Sequence, residues 1–255
     1  MLREFQCWLR RTRDRLPVAC LLCGSRAAGG LCRYCCEAVT ADKEEVRRCP
    51  RCAVALRGKP AAGHPDCPDC PDLSAALERV IAAFDYHWPG DLLIERLKVQ
   101  GRFSCAVVLA GMLAERCEMA IDLHSSKRTS PMLVAAVPAS RRSLILRGFN
   151  PAAELGRALA VRMGWEWQPG LIHRAHEGQG QKSLGRRERR REVEGLYRCD
   201  ARLQGRAVMI VDDVMTTGAT LSAIADLLQQ RGAAEVWAAV AARTPTRLEA
   251  PEAGR

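Results

Sequence analysis

The stretch Ala207-Val-Met-Ile-Val-Asp-Asp-Val-Met-Thr-Thr-Gly-Ala-Thr-Leu221 joins a strand pattern to a helix pattern. Its first five residues are a short continuous apolar run, which is typical of a buried strand. Two acids, Asp212 and Asp213, follow that run, and the segment from Leu221 to Arg231 has helical spacing of apolar residues. A strand, a short loop and a helix in this order favour a parallel α/β sheet, in which ligands bind at the carboxyl ends of the strands.

The loop between the acids and the helix contains groups that suit a phosphate. A helix N-terminus offers unpaired backbone N–H groups and the positive end of the helix dipole. Gly218 allows close approach of the backbone, and the threonine hydroxyls add donors. The two carboxylates can accept hydrogen bonds from vicinal sugar hydroxyls, directly or through Mg²⁺. A simple helix cap with incidental acids would explain Thr217 or Asp213 alone, but not the whole run.

The remaining pattern after residue 76 also alternates between strands and helices. Buried strands are predicted at 132–137 and 236–242, and helices at 92–98, 107–117 and 151–162. Asn150 suits the N-cap of the last of these helices, because Pro151 then takes its first position. We therefore expect an α/β fold with a parallel sheet flanked by helices.

Cysteines dominate the first part of the chain, where ten of the 13 precede residue 72. Eight form four Cys-x-x-Cys pairs: Cys20/Cys23, Cys32/Cys35, Cys49/Cys52 and Cys67/Cys70. Two such pairs complete a tetrahedral four-cysteine zinc site, so the pattern predicts two structural zinc ions. Sequential pairing is the simplest assignment, but the spacing leaves a cross-braced pairing open. It also leaves open Cys36 in place of Cys35, and His64 as a ligand.

The change in composition predicts three segments. Residues 1–75 form a small double zinc-ribbon module, residues 76–245 form the α/β domain, and residues 246–255 form a flexible tail. The longest apolar run, Cys105 to Ala114, is well short of the roughly 20 residues that cross a bilayer. The N-terminus has no apolar core of a secretory signal. We therefore expect a cytoplasmic protein without a membrane span, with its thiols reduced.

The chain has 39 Lys and Arg against 29 Asp and Glu, a net charge of +10. This excess indicates an anionic partner, but it does not choose between phosphate, nucleic acid and a membrane surface. Arg141, Arg142 and Arg147 form one basic cluster, and the arginines within 186–191 form another. Acidic residues interrupt the second cluster. It therefore fits a loop that closes over phosphate, a nucleic-acid contact or a solvated helix face.

Residues 207–221 resemble the 5-phosphoribosyl-1-pyrophosphate (PRPP) motif of type I phosphoribosyltransferases. The resemblance implies that Asp212 and Asp213 contact the ribose hydroxyls, with Mg²⁺, and act in catalysis. It implies that the following loop holds the 5′-phosphate. The ligand contacts that it predicts in this motif are Val211, Asp212, Asp213, Met215, Thr216, Thr217, Gly218, Ala219 and Thr220.

Cysteine pairs ahead of such a domain are similar to the ComF group, which is named for competence and DNA uptake. Four further elements carry this resemblance: Leu97-Lys98-x-x-Gly101, Ala136-Val-Pro-Ala-Ser140, Arg147-Gly-Phe-Asn150, and Gln181 with the segment 186–197. It implies pyrophosphate contacts from Pro138 and Ala139, and makes Lys98, Arg141 and Arg147 candidates for the same role. The chain departs from the group at Glu192, where Asn is usual, and at Tyr197, where Phe is usual.

Two functions of different classes follow from the resemblance. One is transfer of a phosphoribosyl group from PRPP to an acceptor that the sequence does not identify. The other is a non-catalytic protein of natural transformation that binds PRPP, a nucleotide or single-stranded DNA. The zinc module could additionally bind a helicase-like partner.

Overall fold

The structure, a computed structural model, describes residues 17–40, 47–56, 67, 69–124, 131–176 and 195–245. Several sequence predictions lie outside the described residues. They concern Cys7, His64, Gln181, the arginines within 186–191, Glu192 and the tail 246–255.

The described residues form the following elements. The strands are β1 (Pro17–Ala19), β2 (Arg26–Ala28), β3 (Arg47–Arg48), β4 (Ala55–Leu56), β5 (Arg79–Asp85), β6 (Leu133–Ala136), β7 (Glu166–Trp167), β8 (His173–Arg174), β9 (Tyr197–Arg198), β10 (Ala207–Met215) and β11 (Glu235–Arg243). The helices are α1 (Arg33–Thr40), α2 (Gly90–Gln100), α3 (Phe103–His124), α4 (Arg141–Arg147), α5 (Pro151–Met163) and α6 (Ala219–Gln230).

Five strands form one parallel sheet in the order β5-β11-β10-β6-β7. The chain leaves β6 toward β7 and leaves β10 toward β11, so the direction of winding changes between β6 and β10. Such a change marks the crevice in which open α/β sheets bind ligands. Val211 of β10 lies beside Ala136 of β6, and the N–H of Val137 donates to the Val211 carbonyl oxygen at 2.9 Å. The loop after β6 therefore starts level with the two acids of β10.

Side chains of the central strands alternate between two buried faces. Met209 and Val211 pack with helices α2, α3 and α5, whereas Val208 and Ile210 pack with helix α6. All four are fully buried. The period of two is what a strand covered on both faces requires. The predicted parallel α/β sheet flanked by helices is confirmed.

The two cysteine-rich segments lie on opposite faces of this sheet. The segment 17–40 contributes Cys20 and Val39 to the core beside α3 and α5. The segment 47–77 contributes Cys52 and Leu77 to the core beside α6. The division of the chain at residue 75 stays a prediction.

Helix α5 begins as expected, because the Asn150 side chain accepts a hydrogen bond from the N–H of Ala152 and Pro151 follows it. The elements that the sequence analysis did not predict include strand β5 and helix α4. Within the described ranges, no helix is both long enough and apolar enough to span a membrane.

Candidate functional site

Two acids and one lysine meet near the carboxyl end of β10. The ammonium Nζ of Lys98, in the last turn of α2, lies 2.8 Å from Oδ1 of Asp213. The Lys98 and Asp213 side chains are only 26% and 17% exposed. The backbone N–H of Asp213 donates to Oδ1 of Asp212 at 2.8 Å. Lys98 and the pair Asp212/Asp213 therefore lie together. The sequence analysis assigned the two acids to the ribose and Lys98 to the pyrophosphate of one ligand.

Burial, and after it the neighbouring charge of Asp213, raise the pKa of Asp212. The hydrogen bond from Asp213 and the charge of Lys98 lower it, and the balance is a pKa of about 8. The free site thus holds Asp212 mostly neutral near pH 7, and an added cation or hydroxyl donor would favour its charged form.

The loop after β10 positions the N-terminus of α6. Gly218 precedes that helix with a φ of 79° and makes no side-chain cap, so the first N–H groups lack intrahelical partners. The Thr217 hydroxyl oxygen accepts only a long bond from the N–H of Ala219, at 3.4 Å. A Cβ at position 218 would lie 2.5 Å from Leu73 Cδ2 and 2.5 Å from Met215 Cε. Glycine therefore satisfies both the left-handed backbone and the close packing.

Arg243, the last residue of β11, holds the loop after β10 through hydrogen bonds. Its guanidinium is almost fully buried, and one nitrogen donates to the carbonyl oxygens of Thr216, Met215 and Thr244. The other terminal nitrogen lies 2.5 Å from Oδ2 of Asp69. The sequence analysis missed this residue. Its signal is a charge that directly follows the apolar run 236–242 of a buried strand.

The loop after β6 borders the acids, and its candidate residues Pro138 and Ala139 are half-buried. The Asn150 amide donates to the Val137 carbonyl oxygen at 2.9 Å and so ties the loop to the start of α5. Arg141 and Arg147 lie at the two ends of α4, a helix without a buried residue. Their assignment to pyrophosphate stays a prediction.

Tyr197 of β9 is a further residue near the loop after β10. Burial raises the pKa of its hydroxyl, the charge of Asp212 adds to this rise, and Arg174 and Thr220 oppose it. Its ring is 8% exposed and lies under the guanidinium of Arg174, at 5.8 Å. The sequence marked this position only as a departure from Phe, and the structure places the additional hydroxyl beside Thr220.

The eight paired cysteines form two groups, in sequential order. One contains Cys20, Cys23, Cys32 and Cys35, and the other contains Cys49, Cys52, Cys67 and Cys70. Within each group, all sulfur atoms lie within 4.8 Å of one another, and two contacts in the second group measure 3.4 Å. Four sulfurs about 2.3 Å from one zinc ion would be about 3.8 Å apart. Both groups therefore fit a structural zinc ion, and Cys36 is an exposed residue outside the first group.

The thiols of each group share their protons unequally. A hydrogen bond from Cys52 lowers the pKa of Cys49 to about 4, whereas the same contact raises the pKa of Cys52. In the first group, burial raises the pKa of Cys35 to about 12. Metal binding would displace the protons that remain, because thiolates are the ligands. The other described cysteines, Cys105, Cys117 and Cys199, are buried core residues.

Comparison with known proteins identifies the family of this chain. A family model described as the phosphoribosyl transferase domain matches residues 105–254. DNA utilization protein YhgH of Salmonella typhi is 34% identical over 87% of this chain and 96% of its own length. Competence protein F of Haemophilus influenzae is 26% identical over 74% of this chain and 86% of its own length.

Among solved structures, a hypoxanthine phosphoribosyltransferase from Staphylococcus aureus aligns with a TM-score of 0.35 and 16% identity, over 58% of this chain and 69% of that one. The family match and the sheet define a phosphoribosyltransferase domain of type I. The chain belongs to the ComF group of that family.

Proposed function

We propose that the protein binds PRPP with Mg²⁺ at the switch point of the sheet and transfers its phosphoribosyl group to an acceptor used in DNA handling. The observation that supports this most is the juxtaposition of two carboxylates and an open helix N-terminus on one strand–loop–helix unit. A sugar 5-phosphate has hydroxyls for the carboxylates and an anion for the helix N-terminus.

In this proposal, the first turn of α6 binds the 5′-phosphate through backbone N–H groups and the Thr216, Thr217 and Thr220 hydroxyls. Asp212 and Asp213 accept hydrogen bonds from the ribose hydroxyls. The bond from ribose C1 to pyrophosphate breaks as the acceptor forms its own bond to C1, and the pyrophosphate leaves with the electron pair. Fixed carboxylates near C1 would stabilise the positive charge that develops there.

The residues present fit a magnesium ion, because carboxylate oxygens are the protein ligands that Mg²⁺ prefers. When bound, Mg²⁺ would neutralise part of the charge on pyrophosphate. Lys98 now neutralises Asp213, so its ammonium must exchange the carboxylate for a ligand oxygen when the site fills. That exchange would bring Lys98 to the pyrophosphate, as the ComF resemblance implies.

The test is calorimetric titration of Mg²⁺ and PRPP into the zinc-loaded protein and into the double variant Asp212→Asn/Asp213→Asn. We expect the variant to bind at least about a hundredfold more weakly, since hydrogen bonds to charged groups contribute about 1.5–3 kcal/mol each. Glu118→Gln/Asp122→Asn is the matched control, because it removes two exposed charges from α3. Equal affinities of all three proteins, or no binding by the folded wild type, would overturn the proposal.

Transfer itself is tested by release of pyrophosphate. Candidate acceptors are nucleobases, nucleosides and single-stranded DNA, each added to the protein with Mg²⁺ and PRPP. An acceptor-dependent release that is absent in the double variant would support an enzyme. Tight PRPP binding without release for any acceptor would instead favour a sensor that retains the phosphate site.

A second candidate function is binding of single-stranded DNA, which the names of the relatives and the net charge of +10 favour. Backbone contacts would make the affinity fall steeply with salt, with a slope of about −0.7 per phosphate neutralised. Replacement of the arginines within 186–191 by Gln should reduce that slope, whereas Asp213→Asn should leave it unchanged. A flat salt dependence in the wild type would exclude this candidate. A helicase-like partner at the zinc module stays a prediction.

A further inference from the structure

The second cysteine group and the phosphate loop are joined by a short chain of contacts. Asp69 lies between Cys67 and Cys70, and its carboxylate pairs with the Arg243 guanidinium at 2.5 Å. Arg243 in turn donates to the carbonyl oxygens of Met215 and Thr216. The Asp69 and Arg243 side chains are 6% and 2% exposed, so solvent screens this pair little.

Two further contacts reinforce the connection. The Leu73 side chain, three residues after Cys70, fills the space above Gly218. The N–H of Ser74 donates to the Ser222 hydroxyl oxygen, in the first turn of α6, at 3.1 Å. The Arg51 guanidinium fixes this segment by donating to the carbonyl oxygens of Leu73 and Ser74. The cysteine group thus supports both the loop and the helix that bind the phosphate.

We propose that Arg243 is a positioning residue, and that through Asp69 it couples metal binding at the second cysteine group to phosphate binding at the loop. This inference rests on the proposed 5′-phosphate role of residues 216–220. A metal ion fixes the turn that contains Asp69, and Asp69 fixes the guanidinium that orients the loop carbonyls. The loop N–H groups then point at the phosphate without further ordering, which reduces the entropic cost of binding.

Coupling of this kind is reciprocal. If a metal at the second group strengthens phosphate binding, phosphate must strengthen metal binding by the same factor. The first group has no comparable contact among the described residues, since its segment packs beside α3 on the opposite face of the sheet. Its metal should therefore be independent of phosphate.

The test compares zinc-loaded wild type, Asp69→Asn and the control Asp85→Asn. Asp85 pairs with Arg48 at 2.7 Å and lies beside Arg243 in the sheet, so the control removes a neighbouring ion pair but keeps the Asp69–Arg243 pair. Hydrogen exchange of the amides of residues 216–220 is measured without ligand, and the affinity for ribose 5-phosphate is measured by calorimetry. In Asp69→Asn, we expect the amides of residues 216–220 to exchange about tenfold faster and ribose 5-phosphate to bind about tenfold more weakly. Asp85→Asn should change neither by more than about twofold.

The reciprocal effect is measured as equilibrium competition for zinc with a chromophoric chelator. Saturating ribose 5-phosphate should raise the zinc affinity of the second group of the wild type about tenfold and leave that of the first group unchanged. Asp69→Asn should abolish this increase. Arg243→Lys, which keeps the charge but loses the forked donation to the carbonyl oxygens, should behave like Asp69→Asn at the loop.

Three outcomes would overturn the coupling: unchanged exchange at residues 216–220 in Asp69→Asn, faster exchange throughout the sheet, or an equal rise in zinc affinity at both groups. Failure of the proposed function has a different signature. In that case, no protein binds ribose 5-phosphate, while exchange without ligand still shows whether the Asp69–Arg243 pair orders the loop.

Discussion

The two four-cysteine groups have the same ligand types but different surroundings. In the first group, Cys23 is exposed and Cys32 and Cys35 are half-buried. In the second, Cys49, Cys52 and Cys67 are all buried, and their segment contacts the sheet, α6 and the loop after β10 that we propose binds phosphate. Two cysteine groups of the same composition can therefore differ in whether they contact the proposed ligand site, and the packing around each group decides this.

The largest expected effect is the loss of one buried sulfur ligand. Cys52→Ser should lower the free energy of unfolding of the zinc-loaded protein by about 4 kcal/mol or more, because metal loss also undermines the core beside α6. The exposed Cys23→Ser should cost clearly less and leave the phosphate site intact. Urea unfolding with ribose 5-phosphate titrations measures both. Equal losses in the two variants would remove the distinction between the groups.

Glycines with the same backbone conformation offer a sharper comparison. Gly24 in the first group and Gly218 in the phosphate loop have φ angles of 77° and 79°. A Cβ at position 24 meets nothing within 4 Å, whereas at position 218 it meets Leu73 and Met215 at 2.5 Å. Gly24→Ala should cost about 1 kcal/mol from backbone strain. Gly218→Ala should cost about 2–4 kcal/mol, since overpacking adds to that strain.

Urea unfolding of the two variants measures this difference. Adding Leu73→Ala to Gly218→Ala should recover part of the loss, because it makes room for the new methyl group. If Gly24→Ala and Gly218→Ala were equally stable, the close packing of Leu73 on the loop would not contribute to the cost of Gly218→Ala.

Much of the fold follows from local pattern. The apolar runs at 132–137, 207–211 and 236–242 are long enough and apolar enough to predict buried strands, and Asn150-Pro151 carries its own helix start signal. The four Cys-x-x-Cys pairs predict two groups because each pair places two sulfurs on one turn. Even there, spacing could not choose between sequential and crossed pairing, since that depends on how the segments pack.

The contacts that support the site come from residues far apart in the chain. Arg243 and Asp69 are separated by 174 positions, and Leu73 meets Gly218 only because segment 47–77 packs beside α6. Neither contact has a periodic signature. Strand β5 was missed because its run, Arg79-Val-Ile-Ala-Ala-Phe-Asp85, begins just after the point at which the change in composition divided the chain. Lys98 was identified, but only its contact with Asp213 shows that it neutralises the acid pair.

A smaller effect concerns the pH dependence of stability that the raised pKa of Asp212 causes. The pKa of Asp212 is raised to about 8 in the folded protein, so the folded state holds a proton that the unfolded chain releases near pH 4. The stability of the wild type should therefore fall as the pH rises from about 4 to about 8. Asp212→Asn keeps the oxygen that accepts from Asp213 and removes this dependence.

Urea unfolding between pH 5 and 9 measures the difference. Asp212→Asn should be more stable than the wild type by about 1–2 kcal/mol at pH 8.5, a gain of the size seen when functional strain is removed, and by less at pH 5. Cys23→Ser should retain the pH dependence of the wild type, because the first group lies on the opposite face. A constant difference between Asp212→Asn and the wild type across this pH range would contradict the assigned burial of Asp212.

The smallest expected effect comes from a single hydroxyl on the face that contains the second group. Tyr197→Phe removes a hydroxyl that lies near Thr220, while the ring keeps its packing in the core beside α6. A neutral hydroxyl contact contributes at most about 0.5–1.5 kcal/mol, and the Thr220 hydroxyl can still bind phosphate, so the affinity for ribose 5-phosphate should fall only about two- to threefold. Tyr34→Phe is the matched control on α1 of the first group, where the side chain is 82% exposed, and should change nothing. Calorimetry at fixed salt resolves this difference. Tighter binding by Tyr197→Phe would mean that the tyrosine hydroxyl competes with phosphate for Thr220 instead of orienting it.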